Sequence, residues 1–321
     1  MTESARFFTD LTRAAGATPA PLLLAVSGGP DSMAMLVLAA AALPGGVAAA
    51  TVDHGLRSEA PQEAAMVAEH CARIGVPHAT LTGAVDAAAS LQAQARRLRY
   101  QLLAAHARAI GAEAIATAHH ADDQAETFLM RAARGSGLSG LAGVRARVTI
   151  EGVTVVRPLL DWRRAELRAL ARRAEAPFVD DPANADARHD RTRFRRLLDA
   201  NEWLDPPRLA RSAAALAEAD ADLRAVADWV WAARATTGKG EVTLTIDDLP
   251  RALLRILARR AIATVRAEAA IHEPEWSDSA NVEPLLDALA AGRRATQAGV
   301  IAGMRRGAWR FRPAPARRTR V

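Results

Sequence analysis

The chain alternates short apolar runs with longer stretches of helical period. Leu22–Val26 is a bounded apolar run, as a buried strand requires, and helix-favouring Met33–Ala39 follows it. Val47–Val52, His78–Leu81 and Ala114–Ala118 read as further strands. Phe7–Ala15, Pro61–Ile74 and Leu91–Ile110 read as helices. In the last, Leu91, Ala95, Leu98, Leu102 and Ala105 form the stripe expected to be buried. In Pro61–Ile74, Met66, Val67 and Cys71 should face inward, and Glu63 and Glu69 outward. Strands alternating with helices give the pattern of an open α/β sheet. Val144–Ile150 and Val153–Val156 suggest a strand pair turning at Glu151-Gly152, and Asp161 is expected to cap a helix running to Glu175.

Asp205-Pro206-Pro207 breaks the pattern and sets the expected division into residues 1–205 and 206–321. Helices are expected at Arg188–Leu198, Arg208–Arg234, Leu249–Val265 and Pro284–Ala291, with a strand at Glu241–Ile246. Thr296–Ala302 and Ala308–Arg312 read as a final hairpin around Met304-Arg305-Arg306-Gly307. The tail beyond Pro313 carries Arg317, Arg318 and Arg320. The second part therefore reads as a smaller, mostly helical α+β domain.

Composition narrows the picture. The formal charge is +6 over 321 residues, and Lys239 is the only lysine. Such a balance favours a polyanionic partner, although a GC-rich genome enriches arginine in the same way. Cys71 is the only cysteine, which excludes an intramolecular disulfide, an all-cysteine cluster and a relay of sulfur between two cysteines. No uncharged apolar run is long enough for a membrane span, and Met1–Arg13 lacks the pattern of a signal peptide. A cytoplasmic protein without membrane contact is expected.

The chemistry concentrates at strand ends. Ser27-Gly28-Gly29-Pro30-Asp31-Ser32 joins the first strand to its helix. Glycines permit a tight turn and close approach of a ligand, and the amides of a helix start attract an anion. Asp31 would repel a phosphate unless a magnesium ion lay between them, so it is also the candidate metal ligand. A plain turn and helix cap would use the same residue types. Asp53 and His54 follow the second strand, where adenine or ribose contacts and an ordinary loop are both open readings. Arg96 and Arg99 share a helix face, either solvated or turned to a site. His119-His120-Ala121-Asp122-Asp123-Gln124-Ala125-Glu126-Thr127 packs histidines and acids at the end of the fourth strand. Asp123 and Glu126 come close to a capping-box pattern, and the same pair could hold an ammonium group. Arg131–Leu141, with its alternating glycines, reads as a mobile loop or a close backbone approach.

The succession of motifs carries a resemblance. Ser27–Ser32 is similar to the loop of the ATP pyrophosphatases, or PP-loop enzymes. Asp53–Arg57, Ala95–Tyr100, His119–Thr127, Arg134–Leu138, Arg157–Leu160 and Asp181–Asn184 follow in the order found in tRNA(Ile)-lysidine synthases. The chain resembles the short form of that family. The resemblance implies a doubly wound, mainly parallel sheet of the adenine nucleotide alpha hydrolase type. It implies ATP and Mg²⁺ as cofactors, with free L-lysine and a tRNA(Ile) bearing a CAU anticodon as partners, and leaves a homodimer open. The reaction implied is adenylation of the wobble cytidine, with release of diphosphate, followed by attack of lysine's ε-amine and departure of AMP. Lysidine then pairs with adenosine, and the codon read changes from AUG to AUA. Ser27, Gly28, Gly29, Pro30, Asp31, Ser32, Asp53 and His54 would hold the nucleotide. Asp31, Arg99, His119, Asp123 and Glu126 would serve reaction and lysine handling. Residues 1–205 would be catalytic and 206–321 would bind tRNA. One departure stands out: Thr192 occupies a position where relatives usually carry asparagine beside Arg191.

Overall fold

The computed structural model describes residues 1–55, 59–84, 91–180, 190–277 and 279–315. Leu56, Arg57, Asp181–Asn184 and the tail arginines singled out above lie outside these. The described residues form two units, Met1–Ala217 and Glu218–Val321.

The first unit opens with α1 (Glu3–Ala15), β1 (Leu22–Ala25), α2 (Pro30–Ala42), β2 (Val47–Asp53), α3 (Ala60–Arg73) and β3 (His78–Thr82). Next come α4 (Leu91–Ala109), β4 (Ala114–Ala116), α5 (Ala121–Ala133), the short α6 (Leu138–Leu141), β5 (Arg147–Ile150) and β6 (Val153–Val156). Helices α7 (Arg164–Arg173) and α8 (Asp190–Asp199) follow, and α9 (Pro206–Arg234) begins in this unit. The sheet order is β3-β2-β1-β4-β6-β5, parallel except for β5, which pairs antiparallel with β6. This is the doubly wound α/β sheet that the sequence pattern suggests.

Alternation of side chains explains why β1 is apolar throughout. Leu22 and Leu24 join the core shared with α1, α2 and α7, whereas Leu23 joins Tyr100, Leu103 and Ala107 of α4 on the other face. The buried stripe of α4 is therefore Tyr100, Leu103, Ala104 and Ala107. Leu98 and Leu102 are half-buried and Ala105 is exposed, so the expected stripe is rotated from the real one. Alanine and leucine fill most of that helix, and their pattern does not say which face meets the sheet. Cys71 is fully buried, and burial raises its thiol pKa to about 11, so it is core. Glu63 is half-buried rather than outward.

Helix α7 starts later than expected. Its N-cap is Arg163, and Asp161 instead accepts a hydrogen bond from Arg13 Nη2 at 2.7 Å. The prolines at 206 and 207 start α9 rather than separate domains, because proline suits the first turn of a helix. The two units part twelve residues beyond the expected step, inside α9, at Ala217 and Glu218.

The second unit contains β7 (Ala235–Gly238), β8 (Glu241–Thr245), α10 (Arg251–Glu268), α11 (Glu283–Ala290), β9 (Ala295–Gln297), β10 (Val300–Arg305) and β11 (Ala308–Pro313). Its antiparallel sheet runs β7-β8-β11-β10-β9, packed against α10 and α11 around Leu257, Ile262, Leu286, Trp309 and Phe311. The segment expected as one strand at Thr296–Ala302 is folded by a two-residue turn. Ala298 (φ 49°) and Gly299 (φ 78°) reverse the chain there, so the final hairpin is a three-stranded meander. Strand β7 escapes the sequence pattern because Ala235–Gly238 is short, polar and on the sheet edge.

Candidate active site

Strand β1 lies between β2 and β4, and the chain leaves it in opposite directions, which opens a crevice at the carboxyl ends of these strands. A cavity of about 450 Å³ occupies this crevice. Its walls come from the ends of β1, β2 and β4, the loop before α2, and side chains of α3, α4, α5 and α8.

The loop is shaped by its own hydrogen bonds. Ser32 Oγ accepts from Ser27 N at 3.2 Å and donates to Gly29 O at 2.9 Å. Gly28 sits at φ 83°, where a side chain would strain the backbone, and its carbonyl accepts from Val179 N at 3.0 Å. Gly29 is the N-cap of α2 and offers no side-chain cap, and Pro30 takes the first turn. The first amides of α2 are thus left for an anion. Asp31 Oδ1 is buried without a hydrogen-bond partner.

The acid–histidine cluster is organised by His120, at the start of α5. Its Nδ1 accepts from Asp123 N at 3.2 Å, and its own backbone N–H donates to Asp123 Oδ2 at 3.0 Å. The capping box therefore joins His120 to Asp123, not Asp123 to Glu126. Because Nδ1 accepts, the ring proton sits on Nε2, which lies 3.4 Å from Asp31 Oδ2 and 3.5 Å from Asp123 Oδ2. Burial opposes charge on His120, but Asp123, Asp31 and Asp122 outweigh it and raise its pKa. A second proton would cost the ring its cap.

His119 behaves in the opposite way. Burial lowers its pKa to about 4; Asp123 opposes that shift, while Arg157, Arg191 and Arg96 add to it. The ring is neutral near pH 7 and its Nδ1 is 3.0 Å from Thr117 Oγ1. Asp123 keeps a lowered pKa despite burial, because His120 and Arg191 favour its charged form.

The cavity brings together Ser27, Gly29, Asp31, Ser32, His54, Arg99, His119 and Asp123. Gly28 and Pro30 shape the loop from behind the lining. Asp53 is spent locally, its Oδ1 accepting from Gly55 N at 2.9 Å. Glu126 is fully buried outside the lining, with Oε2 accepting from Arg191 Nε at 2.6 Å and Oε1 from Arg195 Nε at 2.7 Å.

A family profile for the PP-loop domain matches residues 2–201. A tRNA(Ile)-lysidine synthase of Novosphingobium aromaticivorans is 44% identical over 299 residues, covering 92% of this chain and 90% of the relative. Those of Zymomonas mobilis and Rhodopseudomonas palustris are 42% and 40% identical, with 93% and 100% of this chain and 90% and 96% of the relatives covered. The chain belongs to the tRNA(Ile)-lysidine synthase family. Among solved structures, the U34-tRNA thiolase of Methanococcus maripaludis superposes with a TM-score of 0.56 at 16% identity, over 67% of this chain and 79% of the other. That likeness concerns the fold.

As a member of the lysidine synthase family, the chain has an ATP-using PP-loop site. Two residues at or beside the cavity lie outside the set of site residues expected from the sequence. The sequence singles out His119, yet His120, three residues before an acid at a helix start, carries a capping signal. Arg191 reaches the cavity from α8, distant in sequence, and no local pattern announces it.

Proposed function

We propose that this protein ligates lysine to the wobble cytidine of a tRNA(Ile) with a CAU anticodon, using ATP. The observation that carries the reading is membership of the lysidine synthase family along nine-tenths of the chain, together with a cavity at the sheet's switch point lined by the family's motifs.

In this reading the phosphates of ATP lie on the Ser27–Ser32 loop, against the free amides of α2. The adenosine end extends toward His54 and the end of β2. The cytosine carbonyl oxygen attacks the α-phosphate, diphosphate leaves, and the ring carbon becomes electrophilic. Lysine's ε-amine adds to that carbon, loses a proton, and expels AMP. Neutral His119 and ionised Asp123 both line the cavity with capacity to accept that proton. Arg99 offsets charge developing on the phosphate.

Asp31 suits a magnesium ion: Oδ1 lacks any partner, and magnesium commonly takes one or two carboxylates plus phosphate and water oxygens. Among the described residues no group of three acids, histidines or cysteines would cage a metal, which fits an ion carried in with the nucleotide. Bound there, the ion would neutralise phosphate charge. Among the described residues no helix is long and apolar enough to cross a membrane. The second unit and its arginines would contact the tRNA.

The test is incubation with radiolabelled lysine, ATP and an isoleucine tRNA transcript bearing CAU. Label should enter the RNA only with ATP and only when the wobble cytidine is present. Label entering a transcript without that cytidine would refute the reading.

A further inference from the structure

In the second unit, alternation along the strands sorts side chains between two faces. Val242, Leu244, Val300, Ala302, Trp309 and Phe311 point to α10 and α11 and build the core. The other face is open: Thr236, Thr243, Thr245 and Thr296 stand exposed on it. Register lays out its remaining positions in rows. Arg312 stands opposite Ile301, Arg310 lies between Gly303 and Thr243, and Arg305 faces Ala308, which is itself opposite Thr245. Successive rows, two residues apart along a strand, are about 7 Å apart. Arg294, just before β9, lays its stem over Gly303, where a Cβ would meet Arg294 Cγ at 3.0 Å and Nε at 3.7 Å. Glycine in β10 thus leaves room for an arginine to lie along the sheet.

The charges on this face do not cancel. Glu241 is the one acid at an outward strand position among the described residues. Its Oε2 accepts from Arg310 Nε at 2.8 Å and from Arg310 Nη2. Arg294, Arg305 and Arg312 are exposed and have no hydrogen-bond or ion-pair partner among the described residues. The surrounding turns carry both signs, Asp247, Asp248 and Glu273 beside Lys239, Arg293 and Arg306, so the excess lies on the face itself. The arginine row of α10 is spent on neighbours instead. Arg251 and Arg255 pair with Glu283, Arg251 also with Asp287, and Arg260 with Asp228, while Arg259 donates to Ala280 O at 2.9 Å. Among the described residues the open face has no aromatic ring, because Trp309 and Phe311 point inward. Unpaired bases are read by stacking rings, whereas phosphates take arginines and hydroxyls.

We propose that the open face of this antiparallel sheet is a docking surface for the phosphate backbone of RNA, with Arg294, Arg305 and Arg312 as its charged contacts, and that it holds the tRNA without reading base sequence. The proposal rests on the tRNA substrate assigned above and says which part of the second unit meets it.

The test combines Arg294→Gln, Arg305→Gln and Arg312→Gln in the full chain. Arg251→Gln, Arg255→Gln and Arg260→Gln together make a control with the same change in net charge. Filter binding measures affinity for the CAU transcript and for a tRNA transcript of unrelated sequence, from about 50 to 200 mM salt. The face variant should bind both transcripts about 10- to 100-fold more weakly at the lower salt, and the slope of log affinity against log salt should shrink by about 2 to 3. The control should keep its slope. Gly303→Val should weaken binding by itself but not beside Arg294→Gln, because the valine acts by moving that arginine. The slope counts ions released on binding, so a loss of folded protein lowers capacity without changing it. Three results overturn the proposal: an unchanged slope in the face variant, an equal change in the control, or a loss confined to one transcript. Loss of binding to phosphatidylserine vesicles with unchanged tRNA affinity would assign the face to a lipid surface and overturn it as well. An unaltered chain that binds RNA yet transfers no lysine counts against the ligase reading alone, and the salt slopes still test the face.

Discussion

Replacing Asp31 by asparagine separates the chemistry of the loop from its stability. The change removes one negative charge and keeps the side chain's volume. Asp31 Oδ2 is 3.4 Å from His120 Nε2, a long contact, and the side chain is 28% exposed. His120 Nε2 keeps Asp123 Oδ2 at 3.5 Å. The folded state should therefore lose less than about 1 kcal/mol, which shifts the melting temperature by roughly 2–4 °C in a domain of this size. The reaction should lose far more. An oxygen that organises charge at a reacting phosphate is worth about 3–4 kcal/mol, or roughly 10²- to 10³-fold in rate. The assay is single-turnover release of diphosphate from ATP in the presence of the tRNA transcript, run beside a thermal melt and a filter-binding measurement of tRNA affinity. The expected pattern is a large loss of rate with a nearly unchanged melt and tRNA affinity. A rate within about twofold of the unaltered protein at saturating magnesium would refute the role of Asp31, because a factor that small amounts to less than about 0.5 kcal/mol.

Further expectations follow from the same geometry. Gly28→Ala should cost about 1–2 kcal/mol in urea denaturation, because φ is 83° while a new Cβ would meet Met66 Cε only at 3.5 Å; no loss at all would show that the turn tolerates a side chain. His119 has a folded pKa of about 4 against an ordinary 6.5, so between those values the unfolded chain binds a proton that the folded chain refuses. Stability should fall as pH drops through that window, by on the order of 1–3 kcal/mol since the ring is partly exposed, and His119→Gln should flatten the decline in urea melts; an equal decline in both proteins would exclude His119 as its source. Removing Glu218–Val321 should weaken tRNA binding and reduce its dependence on salt, and equal affinity in the shortened chain would overturn a tRNA-binding role for the second unit.

Local pattern carried much of this protein. The apolar run Leu22–Leu24, the glycines after it and the acid at Asp31 are neighbours in the chain, so strand, turn and helix start were all readable together. The parallel sheet followed from strands spaced by helices. Rotation of α4 was not readable, because its leucines and alanines offer more than one apolar face; the sheet chose the one carrying Tyr100 and Leu103. The fold at Ala298-Gly299 hid inside an apparently continuous strand, since one X-Gly step weighs little beside seven strand-like residues.

What the sequence determined by itself was the set of groups available and the turn that presents them. Which groups meet was decided in three dimensions. Glu126 and Arg191 are 65 positions apart, and no periodicity links them. Packing of α8 against α5 set a guanidinium on each oxygen of that acid. The physical reason is that hydrogen bonds and ion pairs act over a few ångströms. Sequence spacing measures such distances only within one helix or strand; between elements, the packed core does so.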